Sequence, residues 1–337
     1  MEVTAPAVDV AQPEPGAGQV LVKVGGNGIC QSDLHTIDDW VASPPHLKIN
    51  LPMTLGHEVA GWIEALGPGV ADLEIGQPCV VTIAGCGHCR TCAQGWNNYC
   101  QNLGKQVGMG LDGGLGEYVV LLSTCIVPLG SIAPWQAAPF TDAGLSSYHA
   151  VKRVLPLLMP GTTAVVIGIG GLGHLAISAL KAVCAARIVA VDQRKDALAL
   201  AKELGADVGI LANDGLAIPQ IGEATEGSGA DAVLDFVGAG STIRLASKVI
   251  RPLGHIVVVG RSQEAFEFKD RALPYGASMS TTFGGSKLEL MELLALAEAG
   301  KIQAHITRYP LSQVGMAFDK LRRGEIVGRA VVVPDGH

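Results

Sequence analysis

Hydrophobic and polar residues follow two different patterns along the chain. From Gln19 to Asp142, short apolar runs are separated by glycine and proline; they read VLVKV, VAGWIEALG, PCVVTIAG and GEYVVLL. Such runs are typical of strands joined by turns, so this part predicts an irregular, strand-rich domain. After Pro160, apolar strand-like runs alternate with amphipathic helical segments; the strands read TAVVIG, RIVAVD, DVGIL, DAVLDFVG, HIVVVG and SMSTTFG. This alternation predicts a doubly wound parallel sheet of the α/β class, followed from Leu288 by a helix and two closing strands.

Length and charge narrow the possible functions. A chain of 337 residues predicts two domains, because a single core rarely grows to that size. The net charge is −7 and the basic residues form no stripe, which argues against a nucleic-acid partner. The sequence has neither a long uninterrupted apolar run nor a start that resembles a secretory signal. We therefore expect no membrane partner and a cytoplasmic location.

A glycine-rich motif lies between a predicted strand and a predicted helix. Gly168, Gly170 and Gly173 have G-x-G-x-x-G spacing, which lets the backbone approach a pyrophosphate at the helix N-terminus. The motif alone is weak evidence, because glycine-rich turns also serve structure. Asp192 ends the next strand, where a carboxylate accepts hydrogen bonds from ribose hydroxyls and repels a 2′-phosphate, so NAD is predicted over NADP. Arg194 could soften that preference, although a solvated residue opening a helix is the simpler interpretation.

Four cysteines are crowded into one segment, with C-x2-C-x2-C-x7-C spacing. They are Cys86, Cys89, Cys92 and Cys100. Four thiolates at such spacing can enclose one tetrahedral Zn²⁺, and a fully protein-ligated site is structural. A disulfide pair and an iron–sulfur cluster are the disfavoured alternatives.

A second metal site is suggested by Cys30 and by His57, which has Glu58 beside it. A catalytic zinc needs three protein ligands and one open position. The spacing alone does not identify the third ligand.

Several motifs in one order resemble a known family. They are GICQSDLH, LGHEVAG, the four-cysteine segment, FTDAGLSSYHA, VVIGIGGLGHLA and GEIVGRAVVV. Together they resemble the zinc-dependent medium-chain dehydrogenase/reductase family, and within it the bacterial NAD-dependent secondary alcohol dehydrogenases. The resemblance implies a GroES-like catalytic, zinc-binding domain over 1–142 and 286–337, and a Rossmann NAD-binding domain over 143–285. Family members usually begin with one more strand, so the edge pairing of the first domain is left open.

The resemblance also implies roles for the residues of the catalytic site. Cys30, His57 and Asp142 would hold the catalytic zinc, with Glu58 as a supporting or exchanging ligand. An N-cap of the following helix is the alternative for Asp142. Asp33 would hydrogen-bond His57 and fix its tautomer. Ser32 would contact the substrate oxygen, and His35 would end a proton path that passes through the nicotinamide ribose; without the zinc motifs, both residues indicate only a polar surface turn.

The same resemblance implies further contacts with NAD. The residues concerned are Ser146, Gly171, Leu172, Val237, Val259, Gly260 and Arg329. Arg329 would reach a phosphate, with a surface charge at a strand end as the alternative. Trp40 would form part of the substrate wall.

The expected function is hydride transfer between NAD and a small alcohol or ketone, with secondary alcohols preferred and primary alcohols as a further class. A polyol or amino-alcohol dehydrogenase of the same family is the nearest alternative. A non-catalytic zinc- and nucleotide-binding protein is the alternative from another class. A zinc finger for nucleic acid is disfavoured, since only Arg90 and Lys105 flank the cysteines. SMSTTFG resembles the strand that joins subunits, so a homodimer or homotetramer is expected.

Overall fold

The computed structural model describes residues 8–39, 52–212 and 215–335, and it divides into two compact units. The first unit comprises Met1–Leu145, Gly284–Glu298 and Ala304–His337; the second comprises Ser146–Phe283 and Ala299–Gln303. Trp40 lies outside the described residues, so its predicted place in a substrate wall stays a prediction.

Residues 8–154 include most of the first unit and, from Ser146, the beginning of the second. The strands in this range are β1 (Gln19–Gly28), β2 (Glu58–Leu66), β3 (Pro78–Val81), β4 (Gln106–Val107), β5 (Gly110–Leu111), β6 (Tyr118–Leu122) and β7 (Ile126–Pro128). The α-helices are α1 (Gln31–Asp39), α2 (Arg90–Ala93), α3 (Pro134–Ala137) and α4 (Ala143–Val154). Short 3₁₀ turns connect several of them.

The remaining chain alternates strands with helices before it returns to the first unit. Its strands are β8 (Thr163–Ile167), β9 (Arg187–Asp192), β10 (Val208–Leu211), β11 (Ala230–Asp235), β12 (Ile250–Val258), β13 (Ser278–Thr281), β14 (Ile306–Pro310) and β15 (Arg329–Val333). Its helices are α5 (Gly173–Val183), α6 (Lys195–Glu203), α7 (Ala217–Ala224), α8 (Gly240–Val249), α9 (Lys287–Glu298) and α10 (Val314–Arg322).

The main sheet of the first unit is built around β1. Its strand order is β14-β15-β1-β2-β3-β7, and β6 also pairs with β1. At the end of β1, Gly28 pairs with Glu58 of β2 and with Val331 of β15. Three strands therefore bring the segments around Cys30, Glu58 and Arg329 to one place.

The second unit contains the predicted doubly wound sheet, which confirms the α/β class. Its strand order is β10-β9-β8-β11-β12-β13, and every adjacent pair is parallel. Val165, Val189 and Val233 are fully buried in its core, as expected for strands covered on both faces. The order reverses direction between β8 and β11, the position at which such sheets bind ligands.

The segment after Cys30, for which a polar surface turn was the alternative to a proton path, forms helix α1. Leu34 and Ile37, one turn apart, are buried against the apolar cluster that includes Phe318 of α10. The Asp33 carboxylate accepts a hydrogen bond from the backbone amide of Cys30 at 2.9 Å, as the third residue of a helix does for its cap. The helical spacing of Leu34 and Ile37 was the signal for this helix. Two apolar residues among polar neighbours are too few to distinguish a helix from a turn.

No helix in the described part of the chain is both long enough and apolar enough to cross a lipid bilayer.

Candidate active site

Four potential metal ligands converge in the first unit. The donor atoms of Cys30, His57, Glu58 and Asp142 all lie within 4.8 Å of one another. An Asp142 oxygen is 3.5 Å from the Cys30 sulfur and 3.4 Å from Nε2 of His57. Asp142 directly precedes α4, yet its carboxylate belongs to this cluster. A sulfur, a nitrogen and carboxylate oxygens at this spacing suit Zn²⁺.

Asp33 contacts two members of the cluster, His57 and Cys30, and orients both. One of its oxygens is 3.0 Å from Nδ1 of His57, and the other accepts the amide hydrogen of Cys30. A carboxylate beside Nδ1 favours the tautomer that carries its proton there. Nε2, which faces an Asp142 oxygen at 3.4 Å, is then the ring nitrogen that would bind a metal.

Burial and mutual charge shift the pKa values within the cluster. Burial alone would lower the pKa of His57, but Asp33 and the hydrogen bond to Asp142 raise it well above its usual value. Burial alone would raise the pKa of Asp142, but the hydrogen bond and charge of His57 lower it. Burial raises the pKa of Glu58 to about 7. Three acidic side chains, those of Asp33, Glu58 and Asp142, thus lie close together and largely out of water. A divalent cation bound there would offset their negative charge.

Arg329 contacts the cluster through Glu58 and is buried, with only 4% of its side chain exposed. Its guanidinium donates a hydrogen bond to Oε1 of Glu58. The alternative of a surface charge at a strand end is therefore wrong, whereas contact with a phosphate stays a prediction. Among the described residues, Oε2 of Glu58 has no hydrogen-bond partner, and an unsatisfied buried carboxylate oxygen fits a metal site.

Ser32 and His35 both lie on α1, the helix that directly follows Cys30 in sequence. The Ser32 hydroxyl is 3.7 Å from the Cys30 sulfur, and His35 is exposed. One residue thus lies at the cluster and the other in solvent, and their part in a proton path stays a prediction.

The four cysteines form a second cluster, in the segment of the chain between Glu58 and Asp142. The sulfurs of Cys86, Cys89, Cys92 and Cys100 lie within 4.8 Å of one another. The Cys100 sulfur accepts hydrogen bonds from the backbone amides of Cys86 at 3.2 Å and Asn102 at 3.3 Å. The Thr91 hydroxyl beside Cys89 lowers the pKa of that thiol to about 5. Amide and hydroxyl donors around sulfur favour thiolates, the form that binds zinc.

Asn102 was missed by the sequence analysis, and its polar side chain gave no signal that separated it from its neighbours. Its Nδ2 also donates to the Cys86 sulfur at 3.7 Å. His88 is exposed and contacts the Cys86 carbonyl at 2.8 Å, so it takes no place among the four sulfurs.

The glycine-rich loop joins β8 to α5 in the second unit. Gly168 has a φ of +84°, which favours glycine. A Cβ added at Gly170 would meet no heavy atom within 4 Å, so the backbone there is open to an approaching group. A Cβ at Gly173 would collide with the Gly168 carbonyl, so glycine allows the helix to begin close to the strand. These features fit a pyrophosphate at the N-terminus of α5.

Asp192, at the end of β9, is held by the same loop. Its carboxylate accepts hydrogen bonds from the amide of Ile169 at 2.6 Å and from the amide of Arg194 at 2.8 Å. The Arg194 side chain is 35% exposed, at the start of α6. The acid is thus fixed beside the loop, where a ribose is predicted.

Asp235, which the sequence analysis did not single out, organises the neighbouring loop. Its carboxylate accepts the amides of Val237 at 2.9 Å and Gly238 at 3.1 Å, and its carbonyl accepts those of Val259 and Gly260. Three predicted NAD contacts therefore have amides already engaged in this loop. The sequence signal that could have identified Asp235 is an acidic residue at the end of a strand, three positions before Gly238.

The remaining predicted NAD contacts also lie in the second unit. Ser146 is buried near the start of α4, while Gly171 and Leu172 are half-buried in the glycine-rich loop. Contacts of all three with a cofactor stay predictions.

Comparison with known proteins is consistent with both sites. Residues 16–131 match the alcohol dehydrogenase GroES-like domain, and residues 171–299 match the zinc-binding dehydrogenase family. An NAD-dependent alcohol dehydrogenase of Sulfurisphaera tokodaii is 34% identical, over 97% of this chain and 95% of that protein. A D-arabinose 1-dehydrogenase (NADP(+)) of Saccharolobus solfataricus is 35% identical, over 97% of this chain and 93% of that protein.

Among solved structures, the alcohol dehydrogenase of the hyperthermophilic archaeon Aeropyrum pernix has a TM-score of 0.89 at 32% identity, covering 97% of this chain and 96% of that one. Fold and site define a zinc-binding dehydrogenase with a GroES-like domain. The chain belongs to the zinc-dependent alcohol dehydrogenase group of the medium-chain dehydrogenase/reductase family, as the sequence motifs predicted.

Proposed function

We propose that this protein is an NAD- and zinc-dependent dehydrogenase that reversibly oxidises secondary alcohols to ketones, with primary alcohols and aldehydes as a further substrate class. The observation that carries the proposal is the convergence of Cys30, His57 and Asp142, with Glu58 as a fourth donor. Family membership supports the same chemistry.

The cluster residues would divide the work of holding the metal. Cys30, His57 and Asp142 would bind one Zn²⁺, and Glu58, engaged through one oxygen by Arg329, would keep the other oxygen for exchange. When bound there, zinc acts as a Lewis acid on the substrate oxygen. Asp33 keeps His57 in the tautomer that can bind metal.

The proton released by the alcohol needs an exit from a buried place. The Ser32 hydroxyl lies at the cluster and can accept or donate a proton, and the exposed imidazole of His35 can deliver it to water. When bound, NAD⁺ would supply the hydride acceptor. Both residues are on helix α1, three positions apart.

The predicted preference for NAD is supported by Asp192, whose carboxylate is fixed beside the glycine-rich loop. A 2′-phosphate next to this carboxylate would be repelled. The D-arabinose relative is named as an NADP(+) enzyme, so a sugar substrate is the second candidate, with a different expected cofactor. The four cysteines would hold a second, structural zinc.

We also propose a homodimer or homotetramer in the cytoplasm. Support comes from β13, which pairs only with β12 among the described strands and lies at the edge of its sheet.

The domain limits proposed from the sequence, 143–285 for NAD binding, resemble the extent of the second unit.

The test combines zinc content per chain with reduction of NAD⁺ and NADP⁺. Secondary alcohols, primary alcohols, polyols, amino alcohols and D-arabinose form the panel, and Asp142→Ala is compared with Asp112→Ala, an acid outside the cluster. We expect two zinc ions in the parent, turnover of secondary alcohols with NAD⁺, and loss of one ion with all turnover only in Asp142→Ala. One zinc ion and no turnover in the parent would favour a non-catalytic zinc- and nucleotide-binding protein. D-arabinose turnover with NADP⁺ would favour the sugar alternative.

A further inference from the structure

In the glycine-rich loop, only the peptide bond between Gly170 and Gly171 has a glycine on both sides. Glycine on both sides allows a wide range of backbone angles. Because the peptide is planar and trans, its carbonyl oxygen and its N–H point in opposite directions. A flip of this peptide would therefore replace an N–H donor by a carbonyl oxygen on the side of the loop that receives the pyrophosphate.

His174 holds this peptide in one orientation. Its ring is fully buried on the first turn of α5, and its Nδ1 lies 2.8 Å from the Gly170 carbonyl oxygen. A carbonyl only accepts hydrogen bonds, so Nδ1 carries the proton. The backbone amide of His174 adds a longer bond of 3.3 Å to the same oxygen.

Ser147 holds a second carbonyl of the loop, that of Leu172. This residue of α4 is fully buried, and its hydroxyl donates to the Leu172 carbonyl oxygen at 2.8 Å. The amide of Ala176 donates to that oxygen as well, at 3.0 Å. Two buried side chains from different helices thus engage two carbonyls of the same short loop.

We propose that His174 and Ser147 are positioning residues for the dinucleotide. They hold the carbonyls of Gly170 and Leu172 away from the cofactor, so that the N–H groups of the same peptides are directed toward the pyrophosphate before it binds. The inference rests on the proposed binding of NAD, but it does not depend on which alcohol is oxidised. Neither residue is proposed to touch the reacting atoms.

The experiment is a fluorescence titration of the zinc-loaded enzyme with NADH and, in parallel, NADPH. His174→Leu removes the donor, whereas His174→Asn retains an N–H group close to the position of Nδ1. We expect His174→Leu to weaken NADH binding by about 3- to 10-fold, the loss of one buried hydrogen bond, with kcat at saturating NAD⁺ and zinc content nearly unchanged. His174→Asn should recover most of the affinity, and Ser147→Ala should add its own loss to that of His174→Leu.

Ser178→Ala is the matched control, because Ser178 is buried on α5 one turn further along. It should bind NADH like the parent. Unchanged NADH affinity in a folded His174→Leu would overturn the proposal, and so would equal losses in the Leu and Asn variants. A parent that binds NADH without oxidising any alcohol would refute the proposed activity only, while a parent that binds neither dinucleotide would refute both.

Discussion

The carboxylate of Asp33 joins the ring of His57 to the backbone of Cys30. It lies 3.0 Å from Nδ1 of the imidazole and accepts the Cys30 amide at 2.9 Å, so one buried acid orients two members of the metal cluster. Asp33 therefore fixes the ring orientation of one ligand and the backbone of another before the metal binds. Less conformational entropy is then lost when zinc binds.

Asp33→Asn should therefore weaken zinc binding at the catalytic cluster. We expect the affinity to fall by about 10- to 100-fold, because the amide no longer supplies the charge that favours the Nδ1 proton. Competition with a chromogenic chelator measures it. The control is Asp38→Asn on the same helix, an exposed acid paired with Arg322 at 2.8 Å. Equal zinc retention in both variants would contradict the role of Asp33.

Removing Arg329 should destabilise the first unit. Arg329→Met leaves Glu58 buried without its partner, and breaking such a pair lowers the free energy of unfolding by about 3–5 kcal/mol. The double variant Glu58→Gln/Arg329→Met should recover much of this loss, since no charge remains unpaired. Urea unfolding checks both. Arg308→Met, which removes an exposed guanidinium stacked on Trp135, should cost less than about 1 kcal/mol. A loss no larger in Arg329→Met than in this control would show that the pair is unimportant.

Replacing Asp192 should relax the preference for NAD. Asp192→Gly removes the charge that repels a 2′-phosphate, so the ratio of kcat/KM for NADP⁺ to that for NAD⁺ should rise by about 10-fold or more. Part of the change will be lost affinity for NAD⁺, because the carboxylate also fixes the amide of Ile169. Asp196→Asn, an exposed acid of the next helix, should leave the ratio unchanged. Continued exclusion of NADP⁺ would mean that Asp192 does not face the ribose.

Cys89→Ser should remove the structural zinc alone. Zinc content is expected to fall from two ions per chain to one, with a lower melting temperature and normal kcat in the protein that survives, because a four-thiolate site contributes folding energy. Atomic absorption and calorimetry provide the measurements. Cys184→Ser, a half-buried thiol in the second unit, should keep both ions. Unchanged zinc content in Cys89→Ser would contradict the proposed metal site.

His255 should make the second unit less stable in mild acid. Its ring contacts the hydroxyls of Ser278 and Ser280 on β13, and burial, aided by the charge of Arg153, lowers its pKa below the usual 6.5. The unfolded chain therefore binds a proton first as the pH falls. Stability from this group is complete above about pH 6.5 and is lost as the pH falls from there toward the folded pKa.

Comparing unfolding midpoints at about pH 7.5 and about pH 5.5 tests this contribution. His255→Gln should show a smaller drop than the parent. His305→Gln, at an exposed position, should show the same drop as the parent. Identical drops in all three proteins would exclude His255 as the source.

Parts of the fold and site could be predicted because neighbours in sequence determine them. Alternating apolar runs and helical periods predicted the second unit, and four closely spaced cysteines predicted one cluster. Helix α1 was missed because only Leu34 and Ile37 mark its buried side. Asp142 was indicated by the family resemblance, since 84 residues separate it from Glu58 and no spacing rule connects them.

By itself, the sequence determined which local backbone shapes are possible. Glycine allows the positive φ of Gly168 and the close approach at Gly173, and apolar alternation makes the strands. Only the tertiary structure decided which distant groups meet. The pairing of β1 with β2 and β15 buries Arg329 against Glu58, and the start of α4 brings Asp142 to His57. Burial makes each of these groups depend on its partner, because a charge removed from water must be compensated by groups that the fold brings to it.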